Sequence, residues 1–215
     1  NRKCSYTVDR NKTFRPNKKG LVNTTRFDMH KSTIATLGAG DMANLIAIPP
    51  NMNENEWLAV STEDFFEKIN LLYGNVMEVC TAESCPTMSA GPLFEYLWQD
   101  NRRYKKATAL SAPEYVDCLM EWIQEQMEDE SLFPTDPAVP FPKDFKVRLA
   151  PLYKRMFRVF GHIYHCHFST VRSIGMEAHL NTCFKHFIKF STTYQLIQKK
   201  EMAPMQELID RLLAK

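Results

Sequence analysis

A mostly α fold, a single helical-bundle domain with one small β-hairpin, follows from three features of the sequence. Apolar residues recur every three or four positions through most of the chain, behind hydroxyl-to-carboxylate capping patterns. One stretch, between Cys85 and Ser111, alternates instead as strands do. A hydrophobic content of 44% beside a charged content of 24% gives the 215 residues one sizeable core, and no run of eighteen apolar residues offers a membrane span.

Up to about Asn23 the chain has few apolar residues and no period, so residues 1–25 are expected to form a mobile arm. That arm is basic. Residues 1–20 carry seven Lys and Arg against Asp9 alone, and with a whole-chain charge of +2 the rest is mildly acidic. The opening NRKCSYTVDRNKTF lacks an apolar h-region and does not read as a signal peptide. Phe27, His30, Ile34 and Leu37 then keep helical spacing until Gly38 and Gly40. This defines a helical segment over 26–40 ahead of a globular domain over 41–215.

Inside the domain, Ser61 to Asp64 reads as a capping box, followed by the stripe Phe65, Phe66, Ile69, Leu72 and Tyr73, with Gly74 to end the helix. Leu93–Trp98 and Tyr104–Leu110 make a hairpin around Asp100, Asn101 and Arg102. Ser111 and Glu114, with Pro113 in the first turn, start a helix that buries Tyr115, Leu119, Trp122, Ile123 and Met127. Pro134, Pro137, Pro140 and Pro142 enforce an extended connection. A helix over 146–168 buries Leu149, Leu152, Met156, Val159, Phe160 and Ile163 and tolerates Pro151 only near its start. Two more run over 176–190, with Leu180, Phe184, Phe187 and Ile188 inward, and over 204–213.

The chemistry lies in two pairs, Cys80 and Cys85 in VCTAESC and His162 and His167 in HIYHCHF. Zinc takes four N or S donors in a tetrahedron, and two such pairs can supply them, although the gap between them is far too long for a finger. Cysteines are also common core residues, but these two stand beside Glu83, Ser84 and Pro86, in a loop after an apolar helix. Helical geometry raises a difficulty. Residues five apart stand about 140° apart on the axis, so on an ideal helix His162 pairs better with His165 than with His167. Either the helix loosens before Phe168 or His165 is the ligand. The six cysteines are scattered without a disulfide rhythm, which favours reduced, intracellular thiols. There is no Gly-rich phosphate loop and no G-x-S-x-G elbow.

The segments ENEWLAVSTEDFFEKINLLYG, CTAESCPTMSAGP, LFPTDPAVPFPKDF, FRVFGHIYHCHF and EAHLNTCFKHF resemble the Mob (Mps-one-binder) family, in order, from Lys12 nearly to the end. The resemblance implies a helical domain with a structural Zn2+ on Cys80, Cys85, His162 and His167, which leaves His165 as a packed or solvent-facing histidine. It also implies a non-catalytic adaptor and co-activator, probing two partners: the N-terminal regulatory region of an NDR/Lats-type AGC kinase, and a phosphorylated Hippo-type kinase or scaffold. The expected setting is Hippo-like or mitotic-exit signalling, in the cytoplasm, nucleus or spindle-pole structures, as a monomer outside complexes.

By the same resemblance Lys154, Arg155 and Arg158 read phosphate, Glu56 and Asp64 meet the kinase, and Thr13 and Thr36 are phosphorylation sites. Asp64 also fits the expected capping box, where it would serve only the helix terminus. Relatives often carry an acidic pair before the Trp where this chain has Met52 and Asn53, so partner choice can differ. Two other classes were weighed. A zinc hydrolase is disfavoured because four protein ligands leave no open position and no H-E-x-x-H is present. A zinc-stapled helical protein that binds nucleic acid or another acidic partner would rest on the basic arm with Arg102, Arg103, Lys105 and Lys106, but the body is acidic.

Overall fold

The computed structural model describes residues 14–16 and 42–214. Thr13, Thr36 and the helix expected within 26–40 lie outside the described residues. Strand β1 (Phe14–Pro16) falls inside the stretch read as a structureless arm. It pairs antiparallel with β2 (Phe94–Trp98), which pairs on its other edge with β3 (Thr108–Ala109), so the expected hairpin becomes a three-stranded sheet. The second hairpin strand is far shorter than Tyr104–Leu110. Asp100 explains this, because its carboxylate accepts from the backbone N–H groups of Arg102 (2.9 Å) and Tyr104 (2.8 Å) and from Trp98 Nε1 (3.0 Å). That local turn takes the amides a longer ladder would need.

The helices are α1 (Met42–Ile46), α2 (Glu54–Gly74), α3 (Ala112–Glu128), α4 (Phe145–Cys166), α5 (Phe168–Ser173), α6 (Glu177–Thr193) and α7 (Gln206–Leu213), with a 3₁₀ turn over Lys199–Met205 leading into α7. Helices α1 and α5 have no separate sequence signal; they are too short to show a period. Helix α2 corrects the sequence reading. It starts seven residues before Ser61, at a capping box made by Asn53 and Glu56. The Glu56 N–H donates to Asn53 Oδ1 (3.0 Å), and the Asn53 N–H donates to Glu56 Oε2 (2.9 Å). Ser61 is buried in the third turn and caps nothing. At α3 the expected box forms only in part, since the Glu114 carboxylate accepts from the Ser111 hydroxyl (2.9 Å) rather than from its backbone.

The core is aromatic. Phe65 of α2 meets Phe187 and Phe190 of α6 edge-on, at 5.3 and 5.2 Å between centroids, and Tyr153 of α4 stacks on Phe187 at 5.6 Å. Helices α2, α4 and α6 pack on one another and α3 closes over α2 and α4. From Met156 to Tyr164 every residue of α4 is buried, as expected for a helix surrounded on all sides. Gly161 lets the loop before β2 approach it; a Cβ there would stand 3.2 Å from that of Ala90. Pro151 is the seventh residue of α4, one position further in than the expected start at 146 places it. Pro151 and Val147 are exposed, so the carbonyl left without an amide partner faces solvent. No helix among the described residues is long and apolar enough to cross a membrane.

The cap assignment has a direct check. Asn53→Ala should cost about 1 kcal/mol and lower Tm by roughly 2–4 °C, while Ser61→Ala should stay within about 0.5 kcal/mol, both read by thermal melts. Equal losses from the two substitutions would put the helix start in the wrong place.

Candidate metal centre and the basic face of α4

The turn after α2 is built to present two sulfurs. The Cys80 N–H donates to the Val76 carbonyl (2.9 Å) and the Cys85 N–H to that of Thr81 (2.8 Å). Between them Thr81 and Ser84 bond each other's backbone amides through their hydroxyls, and the Ser84 hydroxyl donates to the Val79 carbonyl (2.7 Å). The Cys85 carbonyl then accepts from Ala112 N–H, which ties the loop to the start of α3.

The facing pair comes from α4. The difficulty of residues five apart is resolved at its terminus: His167 leaves helical geometry (φ −126°, ψ 11°) while its N–H still donates to the Ile163 carbonyl. Its ring thereby swings beside that of His162, with Nε2 atoms 3.2 Å apart. Cys80 Sγ lies 3.4 Å from His162 Nε2, and Cys85 Sγ lies 3.4 Å from His167 Nε2. All four side chains are buried, and their donor atoms lie within 4.8 Å of one another. Bonds of about 2.0–2.3 Å to a tetrahedral zinc place donors roughly 3.3–3.8 Å apart, so the residues fit the ion.

Two neighbours sharpen the fit. His162 Nδ1 lies 2.9 Å from the Ser89 carbonyl, an acceptor, so Nδ1 carries the proton and Nε2 turns a bare lone pair toward the cluster. Burial holds this imidazole neutral, down to about 4. The buried Tyr73 hydroxyl lies beside Cys80 and, among the described residues, meets no other polar partner. Burial pushes the Cys80 thiol up to about 12, so a thiolate there needs a cation next to it. Once metal-bound, that sulfur is an acceptor for Tyr73. A cavity of about 490 Å³, which Cys85, His162, Cys166 and His167 help to line, borders the cluster, and among the described residues no carboxylate lines it to serve as a general base.

His165 stands apart. Its Nε2 lies 3.3 Å from the Pro204 carbonyl, and its ring covers Gly91, where φ is +70° and a Cβ would come within 2.8 Å of Nδ1.

Lys154, Arg155 and Arg158 do not form the solvated face their spacing suggests. The Arg155 guanidinium is held between the rings of Trp98 and Trp122, 4.3 and 4.1 Å from their centroids, and donates to the Gln99 carbonyl (2.5 Å). Its Nη1 is buried and, among the described residues, has no hydrogen-bond partner. Arg158 is 1% exposed, lies over the Tyr96 ring and donates to the Tyr115 hydroxyl (2.9 Å). Glu201 of the 3₁₀ turn, unmarked by any pattern in the sequence, lies 3.7 Å from Lys154 Nζ and 3.9 Å from Arg158 Nη2. Burial draws the Lys154 ammonium below its ordinary value, and Glu201 pushes back against that.

Glu56 and Asp64 both lie on α2. Glu56 is exposed, and its carboxylate closes the cap. Asp64, freed of the capping role by the earlier helix start, pairs with Lys68 at 2.5 Å. Between and beyond them Val60, Glu63, Glu67 and Leu71 are exposed, an acidic stripe with two apolar side chains in it. Sequence reasoning missed Val60 and Leu71, because apolar residues on the polar side of a helix leave no periodic mark.

Comparison with known proteins points one way. Residues 34–205 match the profile of the Mob1/phocein family. The chain is 51% identical to MOB kinase activator-like 1 homolog B of Dictyostelium discoideum, over 96% of each chain. It is 50% identical to MOB kinase activator-like 1A of Arabidopsis thaliana over 94% of each, and 47% identical to MOB kinase activator 3A of Mus musculus over 95% of this chain and 94% of the relative.

Metal removal separates the two histidine assignments. Cys80→Ser, or a chelator acting on the unaltered protein, should remove the bound metal and cost at least about 4 kcal/mol, a fall of roughly 10 °C in Tm. His165→Ala should keep one equivalent of metal by elemental analysis. Loss of metal from the His165 variant would move the ligand assignment.

Proposed function

The chain belongs to the Mob1/phocein family, and on that premise we propose that it is a non-catalytic adaptor and co-activator of protein kinases. The observation that carries this reading is the exposed stripe of Glu56, Val60, Glu63, Glu67 and Leu71 on α2, continued by the half-buried Asp64. Five carboxylates against one Lys on that helix suit a basic segment, and two exposed apolar side chains suit an amphipathic one. The partner for this face is the N-terminal regulatory region of an NDR/Lats-type kinase. The relatives' names, kinase activators, support the same class.

A second surface reads phosphate from an upstream Hippo-type kinase or a scaffold. Its support is the Arg155 guanidinium, pre-oriented between two Trp rings, beside Lys154. A planar fork suits two phosphate oxygens. Zinc on Cys80, Cys85, His162 and His167 is structural in this reading. It crosslinks the end of α2 to the end of α4 and takes no part in chemistry. The basic arm covers the acidic face until Thr13 and Thr36 are phosphorylated, in an intracellular signalling setting.

These readings are separable. Asp64→Ala should weaken an NDR/Lats-type N-terminal peptide severalfold, mainly through a slower, more salt-sensitive association, and deleting residues 1–40 should tighten the same peptide. Unchanged binding in both would remove the α2 face from the proposal. Arg155→Lys, which keeps the charge but loses the fork, should cut phosphothreonine-peptide affinity about tenfold at an unchanged stoichiometry of metal. A peptide bound equally well by that variant would remove the phosphate reading.

A further inference from the structure

Glu201 is a carboxylate that faces Lys154 and Arg158 of α4 and that the proposed function leaves unused. The 3₁₀ turn that carries it places Lys199 and Lys200 in solvent and turns Glu201 inward, 13% exposed, toward α4. At 3.7 and 3.9 Å from Lys154 Nζ and Arg158 Nη2 its carboxylate neutralises charge from beyond ordinary hydrogen-bond distance, so neither contact fixes its geometry. Arg158 is enclosed. Its Nη1 is committed to Tyr115, and Nη2 faces Glu201. An anion approaching Lys154 and Arg158 therefore arrives where Glu201 stands.

From this geometry we infer that Glu201 is a specificity-determining residue of the phosphate site: it competes for Lys154 and Arg158, and only a ligand carrying more charge than a carboxylate displaces it. The inference rests on the phosphate reading given above. Arg155 supplies the opening step, because it is held by Trp98 and Trp122 and pairs with the Gln99 carbonyl rather than with Glu201. A phosphothreonine brings close to two negative charges and three acceptor oxygens. It can engage Arg155 through one edge and take the place of the Glu201 carboxylate at Lys154 with another. A glutamate or aspartate in the same peptide carries the same charge as Glu201, and a peptide side chain must also give up its freedom to bind. It gains nothing by the exchange. The site thus rejects acidic side chains that merely resemble a phosphate, and the 3₁₀ turn over 199–205 loosens when a true phosphate binds.

The test uses the full chain with metal bound and three probes: a degenerate phosphothreonine-centred peptide library, the same library with glutamate at the centre, and one with unmodified threonine. The unaltered chain should bind only the first. Glu201→Gln should bind the phosphopeptides about tenfold tighter and should begin to bind the glutamate peptides, so that selectivity between the two narrows. Equal or weaker binding of both by Glu201→Gln, with the unaltered chain still selecting phosphopeptides, would overturn the role of Glu201 and leave the phosphate reading standing. If neither protein prefers phosphopeptides over threonine peptides, the phosphate reading itself falls, and the inference with it. Because removing a carboxylate beside the enclosed Arg158 can cost stability, Glu201→Asp serves as the second variant, with its carboxylate withdrawn by one methylene and the same change expected in smaller measure. Hydrogen exchange on the unaltered chain gives a reading free of substitution. Amides of 201–205 should exchange faster when phosphopeptide saturates the site, and added protection there would count against displacement.

Discussion

Two sulfurs from the turn after α2 and two imidazoles from the end of α4 come together from segments some eighty residues apart in sequence, and the approach of their donor atoms to 3.2–3.4 Å is the constraint on which the rest is arranged. It requires α4 to stop being a helix at His167, since a continued helix would carry that ring away from His162. It requires Ser89 to lie beside α4, where its carbonyl sets the His162 tautomer. That in turn requires Gly161, which admits Ala90 at the contact. Loop, helix end and sheet entrance are thereby fixed by one cluster, and the aromatic packing of α2, α4 and α6 builds outward from it.

The polar groups carried into the core by α4 follow the same economy. Arg158 is buried, and Tyr96, Tyr115 and Glu201 face it with ring, hydroxyl and carboxylate, which offsets the cost of burying its charge. Arg155 is held by tryptophan faces instead, an arrangement that orients a guanidinium without neutralising it. One cation is thus faced by a carboxylate, and its neighbour is held by two ring faces and a backbone carbonyl. A surface pair such as Asp64 and Lys68 has no comparable enforcement and contributes little beyond local charge.

Much of this was legible in the sequence, and the exceptions have physical causes. The amphipathic stripes of α2, α3, α4 and α6 located those helices, because burial on one side imposes a period. The start of α2 was misplaced by eight residues: Ser61 to Asp64 and Asn53 to Glu56 both satisfy the spacing of a capping box, and only the entry of Trp57 and Leu58 into the packing decides between them. The short second hairpin strand was invisible because a side chain, Asp100, competes with the ladder. The four side chains of the Cys–His cluster were visible as residue types in pairs, but the choice of His167 over His165 depends on a backbone departure that periodicity cannot express. Glu201 left no trace, since its partners are more than forty residues away and meet it only through the 3₁₀ turn.

Four residues separate Arg158 from His162 on α4, a displacement of about 6 Å along the axis and 40° around it. The Cys–His cluster holds one end of that interval. It therefore sets the clocking of the helix, the azimuth at which every side chain of its middle turns leaves the axis. At a side-chain radius of about 6 Å, a rotation of 10° sweeps a guanidinium by roughly 1 Å, enough to part it from a ring face or an oxygen it was aimed at. A buried cluster can in this way act as an index pin, whose loosening would disorder side chains a turn away well before the bundle came apart.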